Sequence, residues 1–421
     1  MNGNDRAITG FAMIAHLTFH LYELTIPLFI VVWLVVFDVS AAVIGTLVGV
    51  GLALIGLGAV VSGVLADEYG SKALVMASIL GMGISFLLIS VSPTIEALAV
   101  ALFVWGAASS LYHPAALSLL TRGTEEQGTA LAYHGVAGNV GTALGPFAAA
   151  VLLTFLPWRQ VAALFAFPAL VAVLLAATVE FDESAGIDDD ATSVPTESGL
   201  TDFLGVLRQS RVLFTGGFVV AFVIMMVHGV YARGVLSFLP EILAGVPRFD
   251  PVELVGETFE PSQYVYAGLL LLGGVGQYVG GKWTDRGSTE RALIGTYLLL
   301  VVASIAFFPA ADAGLALLLL VCGTLGFAIY MSAPIRQALL AKYSPPDVHG
   351  LAFGYFYLGV YGAGAVGAAF AGVVLTYATP ETFFVVFGGI AAIVVALGVL
   401  LRYNYSTENA DETTESDPAA R

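Results

Sequence analysis

Apolar residues run through this chain in long blocks broken by short polar clusters. A helix needs about 20 apolar residues to cross a bilayer. Cutting the sequence at charge and Pro/Gly clusters predicts twelve spans. They cover 8–36, 41–66, 72–92, 94–121, 128–156, 159–180, 212–245, 262–283, 290–309, 313–342, 349–377 and 380–402. The pattern predicts an all-α integral membrane protein in two halves. Residues 1–180 form an N-terminal six-helix bundle, 181–211 an acidic linker, 212–402 a C-terminal six-helix bundle and 403–421 a disordered acidic tail. The first apolar run exceeds the about 7–15 residues of a signal-peptide core, so it reads as a retained span.

The polar clusters set an orientation. Arg6, Lys72, Arg122, Arg208, Arg211, Lys282, Arg286, Arg291, Lys342, Arg402 and Arg421 fall on the side of the termini, against Arg159 and Arg248 on the other. Basic residues mark the cytoplasmic side, so both termini and the linker are expected there, in a plasma-membrane protein. The pattern also repeats. "SGVLADEYGSKAL" (62–74) and "GGKWTDRGSTERAL" (280–293) each follow the second span of their half. Gly128 and Gly145 are matched by Gly350 and Gly367, and "MIAH" (13–16) by "MMVH" (225–228). Three matches in order point to a duplicated six-helix unit. Parallel halves of that kind place a binding site near the midplane.

Composition agrees. Of 421 residues, 58% are hydrophobic and 11% charged, where soluble proteins carry about 25% charged. One cysteine, Cys322, excludes an intrachain disulfide. The net charge of −16 gathers in 181–200, 249–261 and 406–421, segments expected to be polar and mobile. Acidic surfaces with few lysines suit a salt-rich habitat.

"GVLADEYGSK" resembles the loop between spans two and three of the major facilitator superfamily. Gly63, Leu65, Ala66, Asp67, Gly70 and Lys72 match its pattern, while Glu68 and Ser71 stand where it has arginines. The second copy keeps Asp285, Arg286 and Gly287. The resemblance implies a twelve-helix transporter working by alternating access, with this loop as a gate latch. Asp67 is expected to cap the start of the next helix. "GNVGTALGP" (138–146) resembles the Gly-Pro pattern of proton-exchanging exporters, through Gly138, Gly141, Gly145 and Pro146. Small residues there allow close helix packing. "SSLYHPAALSLL" and "AHLTFHLYELTIP" resemble the fosmidomycin-resistance branch of exporters.

Five of six histidines lie in spans: His16, His20, His113, His134 and His228. Arg233, Arg336 and one deep carboxylate, Glu23, join them. Intramembrane charge costs at least about 2.5–3.5 kcal/mol, so such groups face a wet cavity or a partner. On a helix His20 and Glu23 lie about 40° and about 20° from His16, on one face. Glu23 is the candidate proton carrier, with His20 and His16 as relays; the alternative is a fixed ion pair to Arg233 or Arg336. His113, His134, Tyr112, Tyr133, His228, Arg233 and Arg336 are expected to line the cavity, and arginine suits an anionic substrate.

His-x-x-x-His at 16–20 has metal-ligand spacing, which leaves a membrane metalloenzyme as a remote alternative. No phosphate-binding loop or dinucleotide fingerprint sits in the right context. The expected function is proton-coupled export of a small organic compound by a monomer, with no cofactor, resident metal or nucleic acid. Proton- or sodium-coupled uptake of an organic anion or sugar-like solute is the alternative, and a non-transporting membrane sensor a weaker one.

Overall fold

The computed structural model describes residues 1–186, 211–214, 216–345 and 349–404. Among them twelve helical rods cross the molecule in sequence order. Span one is Gly3–Val36, span two Ala41–Tyr69 and span three Ser71–Val91. Span four is broken into Ile95–Ser109 and Tyr112–Gly123; span five is Gln127–Phe155; span six is Trp158–Leu164 followed by Ala166–Thr178. The second half runs Gly216–Ala244, Pro261–Arg286, Thr289–Ala313 and Leu315–Lys342 as spans seven to ten, then span eleven from His349 to Tyr377 and span twelve, Pro380–Asn404. Eleven of these are long and apolar enough to cross a membrane; the other, Pro261–Arg286, is diluted by glycines and polar residues on the packed faces. Helix is the form that satisfies every backbone group within lipid.

Local sequence explains the ends and the breaks. Ser40, Thr94 and Ser288 accept N–H groups of the first turns of spans two, three residues into span four, and nine. Gly70 stops span two with φ +85°, a conformation open to glycine. Span four breaks at Ser110–Leu111, just ahead of Pro114, whose ring cannot follow an unbroken helix. Span eleven carries a π-helical turn at Leu358–Gly362, a feature associated with functional sites.

Glycines decide which spans touch. A Cβ at Gly138 would overlap the His16 ring, and one at Gly141 or Gly145 would overlap the Leu17 or Leu21 carbonyl. Span one therefore lies in the glycine row of span five. Gly367 does the same against the Val230 carbonyl of span seven. Gly145 and Gly367, matched by the internal repeat, thus seat the first helix of each half. Between the halves, span two meets span eleven through Gly45, Gly56 and Gly372, and spans five and eight meet at Thr154 and Tyr264, whose hydroxyls are 3.2 Å apart. These approaches run from the end away from the termini to past the middle.

Three expectations need correction. Residues 249–261 are not a loose polar segment: Val252–Leu254 pairs antiparallel with Glu257–Phe259 around Val255 and Gly256, both with positive φ. That is the backbone of a tight hairpin turn. Asp67 does not start a helix. Span two continues through it to Tyr69, and its side chain lies outside the described residues. The carboxylate at the start of span three is Glu183, from beyond span six. Its oxygens accept the Ser71 and Lys72 N–H groups at 2.7 and 3.3 Å, while Lys72 Nζ donates to the Val179 carbonyl at 2.5 Å. In the second half Asp285 and Arg286 close span eight, and Glu290 makes the ties, to Lys342 Nζ at 2.5 Å and the Tyr343 hydroxyl at 2.8 Å. The rest of the linker, 187–210, and the tail, 405–421, lie outside the described residues.

On the side away from the termini both arginines serve helix ends. Arg159 donates to the Ser90 and Ser92 carbonyls beyond span three, and Arg248 to those of Ala311 and Asp312 ending span nine. Cations there complement the negative end of the helix dipole.

Candidate functional site

A cavity of about 200 Å³ lies near mid-depth between the halves. Span one contributes His16, His20 and Glu23, span four His113, and span five Gly138, Asn139 and Thr142. Across from them stand His228 and Arg233 of span seven, Gln277 of span eight, Tyr330, Arg336 and Gln337 of span ten, and Tyr357 and Tyr361 of span eleven. The cavity sits on the terminus side of the contacts that join the halves.

The HLTFHLYE face of span one is one hydrogen-bonded line. Glu23 is buried, 5% exposed. Its Oε1 accepts from Arg233 Nη1 at 2.5 Å, and its Oε2 lies 2.7 Å from His20 Nδ1. His20 Nε2 is 3.0 Å from His16 Nε2, and His16 Nδ1 is 2.7 Å from the His134 carbonyl. The donors can be counted from the far end. A carbonyl only accepts, so His16 Nδ1 carries a proton and a neutral His16 accepts at Nε2. His20 Nε2 must then donate. That leaves His20 Nδ1 facing a carboxylate, and a proton is needed between them as well. The line Glu23–His20–His16 therefore holds one proton more than a carboxylate and two neutral imidazoles would. Gly138 makes room for the His16 ring, and the His134 ring stacks on it at 3.7 Å.

The two arginines differ. Arg233 is compensated by Glu23 on the opposite half, and the Tyr361 ring lies 4.0 Å from its guanidinium. The π-helical turn of span eleven brings Tyr361 there. Arg336 is the more deeply buried, at 4% exposed, yet no carboxylate pairs with it among the described residues. Its neighbours are the Ser332 hydroxyl at 3.4 Å, the Met225 sulfur at 3.8 Å and the Phe356 ring at 5.4 Å. Arg336 therefore lacks the counter-charge that Arg233 has.

Five expected lining residues are in the wall: His16, His20, Glu23, His113 and His228, together with both arginines. His228 is held at Nδ1 by the Tyr297 hydroxyl, 2.7 Å away. His113 stacks on Tyr357 at 5.0 Å, and its Nε2 is buried without a hydrogen-bond partner among the described residues. Three expected residues are not in the wall. Tyr112 is fully buried behind it, between His134 Nε2 at 3.0 Å and the Ala12 carbonyl at 3.3 Å. His134 sits in the second layer, behind His16. Tyr133 is half exposed and turned away from the cavity. For Tyr112 the reason is helical: neighbours in sequence point about 100° apart, so it cannot share the face of His113; His134 is kept behind His16 by the close seating of span one on span five. The spans also bring in polar residues that a search for titratable groups passes over, Asn139, Thr142, Gln277, Tyr330 and Gln337. An amide inside an apolar run was the signal for three of them.

Comparison with known proteins agrees with this architecture. Residues 2–335 match the sequence model of the Major Facilitator Superfamily. The inner membrane transport protein YdhP of Escherichia coli (strain K12) is 31% identical over 170 residues, and the match spans 39% of this chain and 39% of that protein. A bacterial homolog of the human lysosomal transporter Spinster, inward-facing and unoccupied, superposes with a TM-score of 0.78 at 15% identity, over 95% of this chain and 97% of that one. The nucleoside transporter NupG gives 0.73 at 14% identity over 96% and 100%, and a D-xylose-proton symporter 0.69 at 14% over 96% and 98%.

Proposed function

The chain belongs to the Major Facilitator Superfamily and is a multi-pass membrane transporter, not an enzyme; from that premise we propose that it exports a small organic anion in exchange for protons. The observation that carries the reading is Arg336, a buried cation with no carboxylate partner among the described residues, facing the midplane cavity beside an arginine that is already compensated. Arg336 would hold the anionic group. Glu23, His20 and His16 would carry the exchanged proton along their hydrogen-bonded line. Residues 1–180 and 212–402 would rock about the cavity, and the helix ends at Gly63–Lys72 and Asp285–Arg286 would latch one state. With the halves joined away from the termini, the state described is the one open to the side of the termini.

The Gly-Pro row of span five supports export, and so does the resemblance to the fosmidomycin-resistance branch. Coupled uptake of an organic anion or sugar-like solute is the second reading, favoured by the neutral hydrogen-bonding residues Asn139, Thr142, Gln277 and Gln337 around the cavity. In a salt-rich habitat sodium would be the alternative ion. The test is a panel of organic anions and sugars offered to the purified protein in liposomes under an imposed pH gradient. Proton-driven movement of an anion is the expected result; movement of neutral sugars alone, or no dependence on the proton gradient, defeats the reading.

The asymmetry of the basic residues supports termini in the cytoplasm of a plasma-membrane protein. Cysteine put in place of Glu257, at the hairpin between spans seven and eight, should then react with an impermeant reagent added outside intact cells. Cys322 is buried and gives no background. A residue-6 cysteine that reacts from outside, with residue 257 silent, inverts the topology.

A further inference from the structure

Outside the central cavity, a groove of about 220 Å³ opens between spans one, three and six at the terminus side. Its lining is apolar, including Phe11, Met76 and Ala176, with one exception: Arg6 at its mouth. The Arg6 side chain is exposed and makes no hydrogen bond or ion pair among the described residues. The walls face outward, with Ile14 40% and Leu175 48% exposed. The floor is open because Gly10 has no side chain, and a Cβ built there meets nothing within 4 Å.

Length identifies what fits. Along span one the groove extends from Arg6 to Ala15, about 13 Å at 1.5 Å per residue. Half of a bilayer's hydrocarbon core is about 15 Å. The groove thus matches one leaflet in depth: with its cation at headgroup level, its far end at Ala15 would lie toward the midplane. A lipid acyl chain in the groove would bring its phosphate to Arg6. Uncharged headgroup chemistry would give the arginine no net partner, and anionic lipid would. We propose that this groove binds an anionic phospholipid of the terminus-side leaflet, chain in the groove and headgroup on Arg6. The far end, at Ala15, adjoins His16 of the central line. Bound lipid would therefore brace the inner half of span one, which carries the cavity wall. The inference needs the membrane fold alone and is independent of the substrate and of proton coupling.

The test uses the whole chain, purified, stripped of lipid, and titrated with phosphatidylglycerol or phosphatidylcholine of equal chain length under native mass spectrometry. The parent should retain phosphatidylglycerol in preference. Arg6→Gln should cut that preference about fivefold, the effect of one cation near an anionic headgroup, while leaving chain binding. Gly10→Leu fills the floor and should remove both lipids with the helical circular dichroism intact; Ala7→Leu, at the mouth, serves if Gly10→Leu fails to fold. Equal retention of the two lipids by the parent overturns the proposal. So does undiminished phosphatidylglycerol binding by a folded Gly10→Leu or Ala7→Leu protein.

Discussion

Glu23→Gln should still exchange substrate across liposomes but no longer accumulate it under a proton gradient. The expected result follows from the proton count along span one. A hydrogen bond between His20 Nδ1 and Glu23 requires a proton beyond the one that a neutral His20 already gives to His16. The glutamine amide can donate to His20 Nδ1, so the line survives with no mobile proton in it. The same change has a second effect. Arg233 lies on the other half of the molecule and loses its buried counter-ion. Removing one member of a buried pair destabilises by about 3–5 kcal/mol, so Glu23→Gln should also melt lower. The paired variant Glu23→Gln with Arg233→Gln separates the two roles. It should recover the melting temperature and remain uncoupled. If the paired variant regains pH-driven accumulation, the glutamate matters only as a partner for Arg233, and the coupling role fails.

How much of this was legible beforehand depends on the kind of contact. The spans were legible because apolar runs of that length have one stable form in lipid. The face of His16, His20 and Glu23 was legible because it depends on spacing within a single helix. The row Gly138, Gly141 and Gly145 declared close packing, though not against which span; the answer, span one, needs the tertiary fold. Tyr112 is next to the cavity residue His113 in sequence and is turned away from it on the helix, while His134 and Tyr133 fall behind the wall because span five packs against span one there. Which arginine meets Glu23 was left open, since Arg233 and Arg336 sit on different spans and either could reach from the second half. Glu183 was beyond reach for the same reason, more than a hundred residues from the helix start that it caps. Tyr361 comes to Arg233 through a π-helical turn that no apolar period announces.

Arg336→Gln is expected to abolish or strongly weaken substrate binding while leaving the protein at least as stable. The two arginines of the cavity make this an internal comparison. Arg336 is buried, the Arg233 side chain is 14% exposed, and both line the same space. Arg233 is compensated, so Arg233→Gln strands the Glu23 carboxylate and should lower the melting temperature. Arg336 has no carboxylate partner among the described residues; a serine hydroxyl, a thioether and an aromatic ring lie against it. A buried charge without a partner costs stability, and the neutral amide removes that cost. Hydrogen bonds to a charged group contribute about 1.5–3 kcal/mol, so losing the guanidinium should weaken an anionic ligand by roughly tenfold to a hundredfold. Arg336→Lys keeps the charge but not the planar fork, and should fall between. Melting temperature in detergent and equilibrium binding of the anion identified in the liposome panel give the two readouts. A structural arginine would show the reverse pattern, a lower melting temperature with affinity unchanged in the molecules that remain folded. That pattern at residue 336 would remove the anion site and leave the neutral residues Asn139, Gln277 and Gln337 as the binding surface.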